Sequence, residues 1–299
     1  MQIIKSFFKG LGKIISYINT YFKTFVFLFI VFLILAPSGD NAKLSNANLA
    51  QINLKGEISD AGNLLEQIYK LKDNKAIKGV LLFIDSPGGA FAPSMEIALA
   101  IQDLKAKKPV VVYAGGTIAS GSYLSAVGAD MIIANPASFV GSIGVIMQGF
   151  EVSELAQKLG INEQTIKAGS YKEAGTFMRK WSEEEKDFLQ NLANQSYELF
   201  TQFVAQNRKL DLNQTNSWAD AKVFLANEAL KLKLIDKIGN YEQAKKELEK
   251  LAKVQNPIWQ KEDAIDKFLK RLEEQSASFF ANTLAQFFTQ VSSQKFTKI

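Results

Sequence analysis

The sequence contains no histidine and no cysteine. Each absence excludes a chemistry. Without histidine no Ser-His-Asp arrangement can be assembled within the chain. Without cysteine there is no thiolate nucleophile, no disulfide and no thiolate metal site, although this leaves the compartment open. A nucleophilic serine still needs a base to take its proton, and a serine–lysine pair is the main substitute that remains. The net charge of +5 is spread over scattered lysines with no Arg-rich or aromatic-interleaved basic patch, so a nucleic-acid partner is not expected. With 47% apolar and 22% charged residues, the chain has the composition of a folded core.

At the N-terminus, Lys5, Lys9, Lys13 and Lys23 precede the uncharged run Thr24 to Ala36, TFVFLFIVFLILA. That run alone is shorter than the about 20 residues a span needs. Extension back to Ile14 reaches that length if Lys23 snorkels to the headgroups. The lysines then place the N-terminus in the cytoplasm and the bulk of the chain outside. Residues 1–23 read as a cytoplasmic start of a transmembrane anchor, 24–36 as its apolar core, and 37–48, rich in Ser, Asn, Gly and Ala, as a linker. A cleaved signal peptide is the competing reading. Pro37 after Ala36 argues against cleavage there, and Ser45-Asn46-Ala47 is a weaker site, so a retained single-pass anchor is preferred.

Beyond the linker, strand and helix patterns alternate over a domain of residues 49–256. Leu49 to Leu54 predicts a strand, and Ala61 to Leu71 a helix capped by Asp60. Gly79 to Ile84, Val110 to Tyr113 and Met131 to Ala134 are continuous apolar runs of the buried-strand type, and Met95 to Leu104 has helical spacing. This rhythm predicts an α/β layered fold with a mainly parallel sheet. Ser182 with Glu185 forms a capping box, and Phe188, Leu189, Leu192, Leu199, Phe200 and Phe203 continue an amphipathic stripe. The tail 257–299 carries Phe279, Phe280, Leu284, Phe287, Phe288 and Val291 at helical spacing. It predicts an amphipathic helix packed on the body or on a neighbouring subunit in preference to lipid. No internal repeat is present, so one catalytic unit per chain is expected.

Three segments can carry chemistry. Asp85-Ser86-Pro87-Gly88-Gly89 follows a buried strand and precedes a helix, at the sheet edge where α/β folds bind ligands. Adjacent glycines let backbone N–H groups approach an oxyanion or an extended peptide; the plain alternative is a tight turn with proline at its second position. In Ala114 to Tyr123 the strand reads as ending in glycines, and Ser120 stands where a helix begins. There a serine feels the helix dipole, and the Gly121 N–H can face a developing oxyanion. The glycine spacing does not fit the G-x-S-x-G elbow, and Ser120 as a mere helix cap is the competing reading. Ser122, Ser125 and Ser142 have less support. Lys172 sits in a polar, glycine-bounded loop, Lys167 to Gly175, where Ser170 is placed to orient its amine. A lysine base must be neutral, which takes a pKa brought from about 10.4 to about 7–8 by desolvation in a cleft or subunit interface. Position alone does not single out Lys172.

The segments Asp85-Ser86-Pro87-Gly88-Gly89, Ala119-Ser120-Gly121, Gly141-Ser142-Ile143-Gly144-Val145 and Ser170-Tyr171-Lys172-Glu173, in this order, resemble the signal peptide peptidase A family. Ala229 to Gly239 resembles that family's closing signature, with Lys233 where a glycine is usual. The resemblance spans about Leu49 to Lys246. It implies a Clp-protease/crotonase-like fold, Ser120 as nucleophile and Lys172 as general base. It also implies an oxyanion and substrate site from Gly88, Gly89, Gly121 and Ser170, with no metal or other cofactor. The implied substrates are apolar extended peptides such as cleaved signal peptides. The implied assembly is a homo-octamer in which serine and lysine meet across a subunit boundary. The implied location is the bacterial inner membrane, with the catalytic domain on the extracytoplasmic side. Ser122 departs from a usual second glycine, and Arg179-Lys180-Trp181 from a usual proline-containing stretch. Two other readings compete: a crotonase-type acyl-CoA enzyme, which the anchor and the Ser/Lys pair disfavour, and an inactive membrane scaffold.

Overall fold

The computed structural model describes residues 16–29 and 46–260. Residues Asn46–Gln260 form one compact unit, and residues 16–29, an exposed helix, belong to another. Among the described residues no helix is long and apolar enough to cross a membrane. Most of the predicted anchor core, residues 30–36, lies outside the described residues, as does the predicted amphipathic tail beyond residue 260.

Four parallel strands joined by helices build the larger unit. They run β1 (Leu49–Ile58), α1 (Gly62–Asp73), β2 (Gly79–Gly89), α2 (Phe91–Lys105), β3 (Val110–Ala119), α3 (Gly121–Ala126) and β4 (Met131–Ala134). After β5 (Phe139–Gly141) come a short α4 (Ser153–Lys158), a long α5 (Glu183–Arg208) and a single turn, α6 (Thr215–Trp218). The unit closes with β6 (Val223–Leu225), α7 (Ala226–Lys231), β7 (Lys237–Ile238) and α8 (Tyr241–Leu251). The sheet order is β1-β2-β3-β4-β7, all parallel; β5 pairs with β3 and, antiparallel, with β6. The fold is therefore mixed α/β with a mainly parallel sheet.

The apolar runs have a simple cause. Val80, Leu81, Leu82 and Ile84 are all fully buried because both faces of β2 are covered. On one face Leu82 and Ile84 join Ile68, Ile101, Leu104, Leu124 and Phe200. On the other, Leu81 and Val111 meet Ala244 and Leu248 of α8. Each such side chain contributes about 1.5–3 kcal/mol by leaving water.

Several boundaries differ from the sequence expectation. The helix α1 starts at Gly62 with Ala61 at its cap position, and Asp60 instead accepts the Gly62 N–H at 3.1 Å in a local turn. Asp85 to Gly89 is not a tight turn but the end of β2, paired to β1 through Glu57–Gly88 and Ile58–Gly89. Pro87 is tolerated there because the register shifts on both sides of this stretch, and irregular ladder positions need no N–H donor. Likewise β3 runs on through Ala119. The capping box at Ser182 and Glu185 is formed. Lys233 adopts φ 60°, the left-handed region that favours glycine, the residue the family resemblance leads one to expect there.

Candidate active site

Ser120 lies between the end of β3 and the first residue of α3, with φ 52° and ψ −127°. A non-glycine residue in this region costs on the order of 1–3 kcal/mol and persists only where its surroundings enforce it. The enforcement is visible. The Ser120 N–H donates to Gly141 O at 2.8 Å, and its carbonyl accepts from Leu124 N at 3.0 Å. Its hydroxyl makes no capping bond to the helix, so the cap reading fails, and the side chain is half-buried.

The predicted glycines converge on this serine. A Cβ on Gly88, at φ +98°, would stand 2.6 Å from Gly121 N, 2.7 Å from Ala119 O and 2.8 Å from Ser120 Cβ. A Cβ on Gly121 would overlap Ser94 Oγ and lie 3.3 Å from Gly89 N. The backbone nitrogens of Gly89 and Gly121 are thus close neighbours beside Ser120. Gly121 opens α3, where an N–H has no intrahelical acceptor and is available to an anion. No side chain other than hydrogen fits at either of these two positions.

Ser122 has a role the sequence does not reveal. It is fully buried, its Oγ accepts the Ala119 N–H at 2.9 Å, and it donates to Ser86 O at 2.7 Å. It ties the serine-bearing strand to β2 instead of disturbing the backbone, and it is too enclosed to act as a nucleophile. Ser125 is likewise buried, with Oγ 2.9 Å from Gly121 O. Ser142 sits in a left-handed kink at φ 49°, its N–H bound to Lys222 O at 2.7 Å. Tyr123, fully buried, donates its hydroxyl to Leu234 O at 2.8 Å, and burial raises its pKa well above that of a free phenol.

The lysine segment is built differently. Lys172 is exposed, in an irregular loop whose turn is closed by its own N–H on Gly169 O at 3.2 Å. Among the described residues no hydrogen bond joins its side chain to Ser120. Ser170 is also exposed and lines a surface groove of about 430 Å³ with Lys167, Tyr171, Arg179 and Glu185, apart from Ser120. The structure thus gathers Ser120, Gly88, Gly89 and Gly121, and among the described residues no hydrogen bond joins Lys172 or Ser170 to them.

The loop is nevertheless held. Tyr171 stacks on Phe188 of α5 with ring centroids 4.8 Å apart. Arg179 binds both oxygens of Glu185, at 2.7 and 2.8 Å, and reaches Glu173 at 3.1 Å. That guanidinium, with the Ser182 N–H, holds the Glu185 carboxyl down to about 2. Trp181 donates its indole N–H to Thr176 O at 2.7 Å. Arg179 thus clasps the lysine loop to Glu185 in the first turn of α5, while Trp181 ties the loop back on itself at Thr176.

The family model described as peptidase family S49 matches residues 102–255, and that of Clp protease matches residues 42–140. A putative protease of Methanocaldococcus jannaschii is 39% identical over 243 residues, covering 76% of this chain and 78% of that protein. A putative signal peptide peptidase of Enterococcus faecium is 35% identical over 225 residues, covering 70% of this chain and 65% of that protein. Among solved structures, a ClpP1 mutant from Listeria monocytogenes aligns with a TM-score of 0.46 and 15% identity, over 65% of this chain and 93% of that one.

Proposed function

The chain belongs to peptidase family S49 and is a serine peptidase, and we propose that it is a membrane-anchored endopeptidase using Ser120 and Lys172 on apolar, extended peptides such as cleaved signal peptides. The observation that carries this reading is Ser120 itself: strained, uncapped, half-buried, and set against the Gly88, Gly89 and Gly121 backbone.

In the proposed reaction the Ser120 oxygen attacks the peptide carbonyl carbon while its proton passes to neutral Lys172 Nζ. The oxyanion is held by the N–H groups of Gly89 and Gly121. The carbon–nitrogen bond then breaks, the lysine returns the proton to the leaving amine, and an acyl-serine remains. Water, deprotonated by the same lysine, attacks the ester; the carbon–Oγ bond breaks, the acid leaves and the lysine returns the proton to Ser120 Oγ. Ser170 orients the amine. No metal or organic cofactor enters this scheme.

Because Lys172 is exposed in one copy, the proposal includes a homo-oligomer, octameric by family resemblance, in which a second copy brings its lysine to Ser120 and excludes water. The apolar side chains standing free around that loop support this, among them Ile146, Phe150, Ile166 and Phe177. The basic N-terminus and the apolar run to Ala36 support a single-pass anchor in a bacterial inner membrane, with the catalytic unit outside. The domain limits proposed from the sequence, an anchor to 36, a linker to 48, a catalytic part from 49 to 256 and a tail, accord with this arrangement.

Fluorophosphonate labelling of the assembled protein, with peptide mapping, tests the reading. Modification of Ser120 that disappears in Lys172→Ala is expected. Modification elsewhere, or none while a control protease reacts, would refute it.

A further inference from the structure

Between Ala114 and Ala119 the strand β3 changes partner. Up to Ala114 it lies beside β4, and from Thr117 it lies beside β5. Against β2 its register jumps from Ile84–Ala114 to Ser86–Ile118. Gly115, Gly116 and Thr117 therefore stand opposite a single β2 residue, Asp85. Extra residues in one strand bend it and re-aim the residues beyond them. Here the bend lies where the strand leaves one neighbour for the next, three residues before Ser120.

Asp85 holds this bulge. Its Oδ1 accepts the Thr117 N–H at 2.9 Å. Its carboxylate fills the space over Gly116, where an added Cβ would lie 2.9 Å from Cγ. Gly115 is covered by the Phe83 ring, whose Cε2 would stand 2.8 Å from a Cβ. A Cβ at either place would have to displace the Phe83 ring or the Asp85 carboxylate. Asp85 is exposed, so its burial adds little to the core. Its carboxylate is directed at a backbone N–H of the bulge.

We infer that Asp85 is a positioning residue for the reaction at Ser120. By fixing the bulge it sets Thr117–Ala119 in register with Phe139–Gly141. That register brings the Ser120 N–H onto Gly141 O, and so fixes the serine oxygen relative to the Gly89 and Gly121 N–H groups. Release of the bulge leaves the core intact and lets the serine drift. Misplacement by about 1 Å is enough to cost on the order of a hundredfold in rate. This inference rests on Ser120 being the nucleophile.

The test compares the parent protein with Asp85→Ala, Asp85→Asn and Gly116→Ala, reading fluorophosphonate labelling rate at Ser120, kcat, KM and thermal midpoint on the assembled protein. Asp85→Ala is expected to slow labelling and kcat by about tenfold to a hundredfold, with KM within about twofold. Its thermal midpoint is expected to stay near the parent's. Asp85→Asn keeps an oxygen of the same shape and restores most of the rate, whereas Gly116→Ala, which displaces the carboxylate, behaves like Asp85→Ala. Parent-like labelling in Asp85→Ala would overturn the inference, as would failure of Asp85→Asn to rescue, or a rate loss matched by a collapse of the thermal midpoint. A folded parent that is never labelled at Ser120 would refute the nucleophile, and this role with it. A labelled parent with an equally labelled Asp85→Ala refutes the positioning role alone.

Discussion

The serine end and the lysine arm are built on opposite terms. Around Ser120 the neighbours Ala119, Gly121, Ser122, Tyr123 and Leu124 are buried, and Ser86, Ser94, Ser122 and Ser125 all have hydrogen-bond partners. From Ile146 to Phe177 the chain is mostly irregular and shows large apolar side chains to solvent, with Phe150 79% and Ile166 fully exposed. The first half of α5 continues this face through Leu192, while its second half buries Phe200 and Val204 against the core. On the proposed mechanism, one copy therefore completes half of a catalytic site. On that mechanism Ser120 is preorganised by its own fold, and the arm holds a lysine whose surroundings a partner copy supplies.

The most severe test of this contrast is Lys172→Ala. On the proposed mechanism turnover falls by roughly 10⁴-fold or more, while sedimentation shows an unchanged assembly. Normal turnover would remove Lys172 from the chemistry. Next in size is the pair Phe150→Asp and Ile166→Asp, which places charge on the exposed arm. Specific activity is expected to become concentration-dependent, its half-maximum shifting at least about tenfold, with an unchanged circular-dichroism melt. Unaltered sedimentation and activity would mean that this face has no partner.

A smaller effect tests the serine end. Ser122→Ala strips the Ala119 N–H and the Ser86 carbonyl of a buried partner and is expected to cost about 1–3 kcal/mol in urea unfolding. A neutral result would show that the two strands are held without it.

The smallest effect concerns the clasp of the arm. The Glu185 carboxyl, at about 2 in the folded protein because Arg179 and the Ser182 N–H bind it, titrates near 4.3 when unfolded. A depressed carboxylate contributes stability that is full above the unfolded value and is lost as pH falls from about 4.3 through about 2. Glu185→Gln is therefore expected to be less stable than the parent at neutral pH, with the gap closing toward pH 2 in denaturation series. A gap independent of pH would assign the loss to packing.

Much of the architecture was legible in the residues. Buried parallel strands announce themselves as apolar runs, so Gly79 to Ile84 and Met131 to Ala134 were readable, as was the capping box of Ser182. The ordered motifs pointed to the family and to the glycines around Ser120. Periodicity was blind to whatever departs from it. The bulge at Gly115 to Thr117 looked like the end of a strand, because glycines signal turns and bulges alike. Ser122 looked like a departure because a hydroxyl's value depends on which carbonyl lies beside it. No sequence pattern set apart Ile146, Phe150, Ile166 and Phe177 of the arm, which the structure leaves exposed.

One consequence of the partner change in β3 lies in time. Ser120 takes its backbone setting from Gly141, which is in turn paired with Val223. On a ribosome adding about 5–20 residues each second, the about one hundred residues from Ser120 to Val223 take several seconds to appear. Until then the nascent chain carries its serine without the strand that fixes it. On the proposed mechanism the protein acquires its cutting edge late, after most of its own polypeptide has been synthesised.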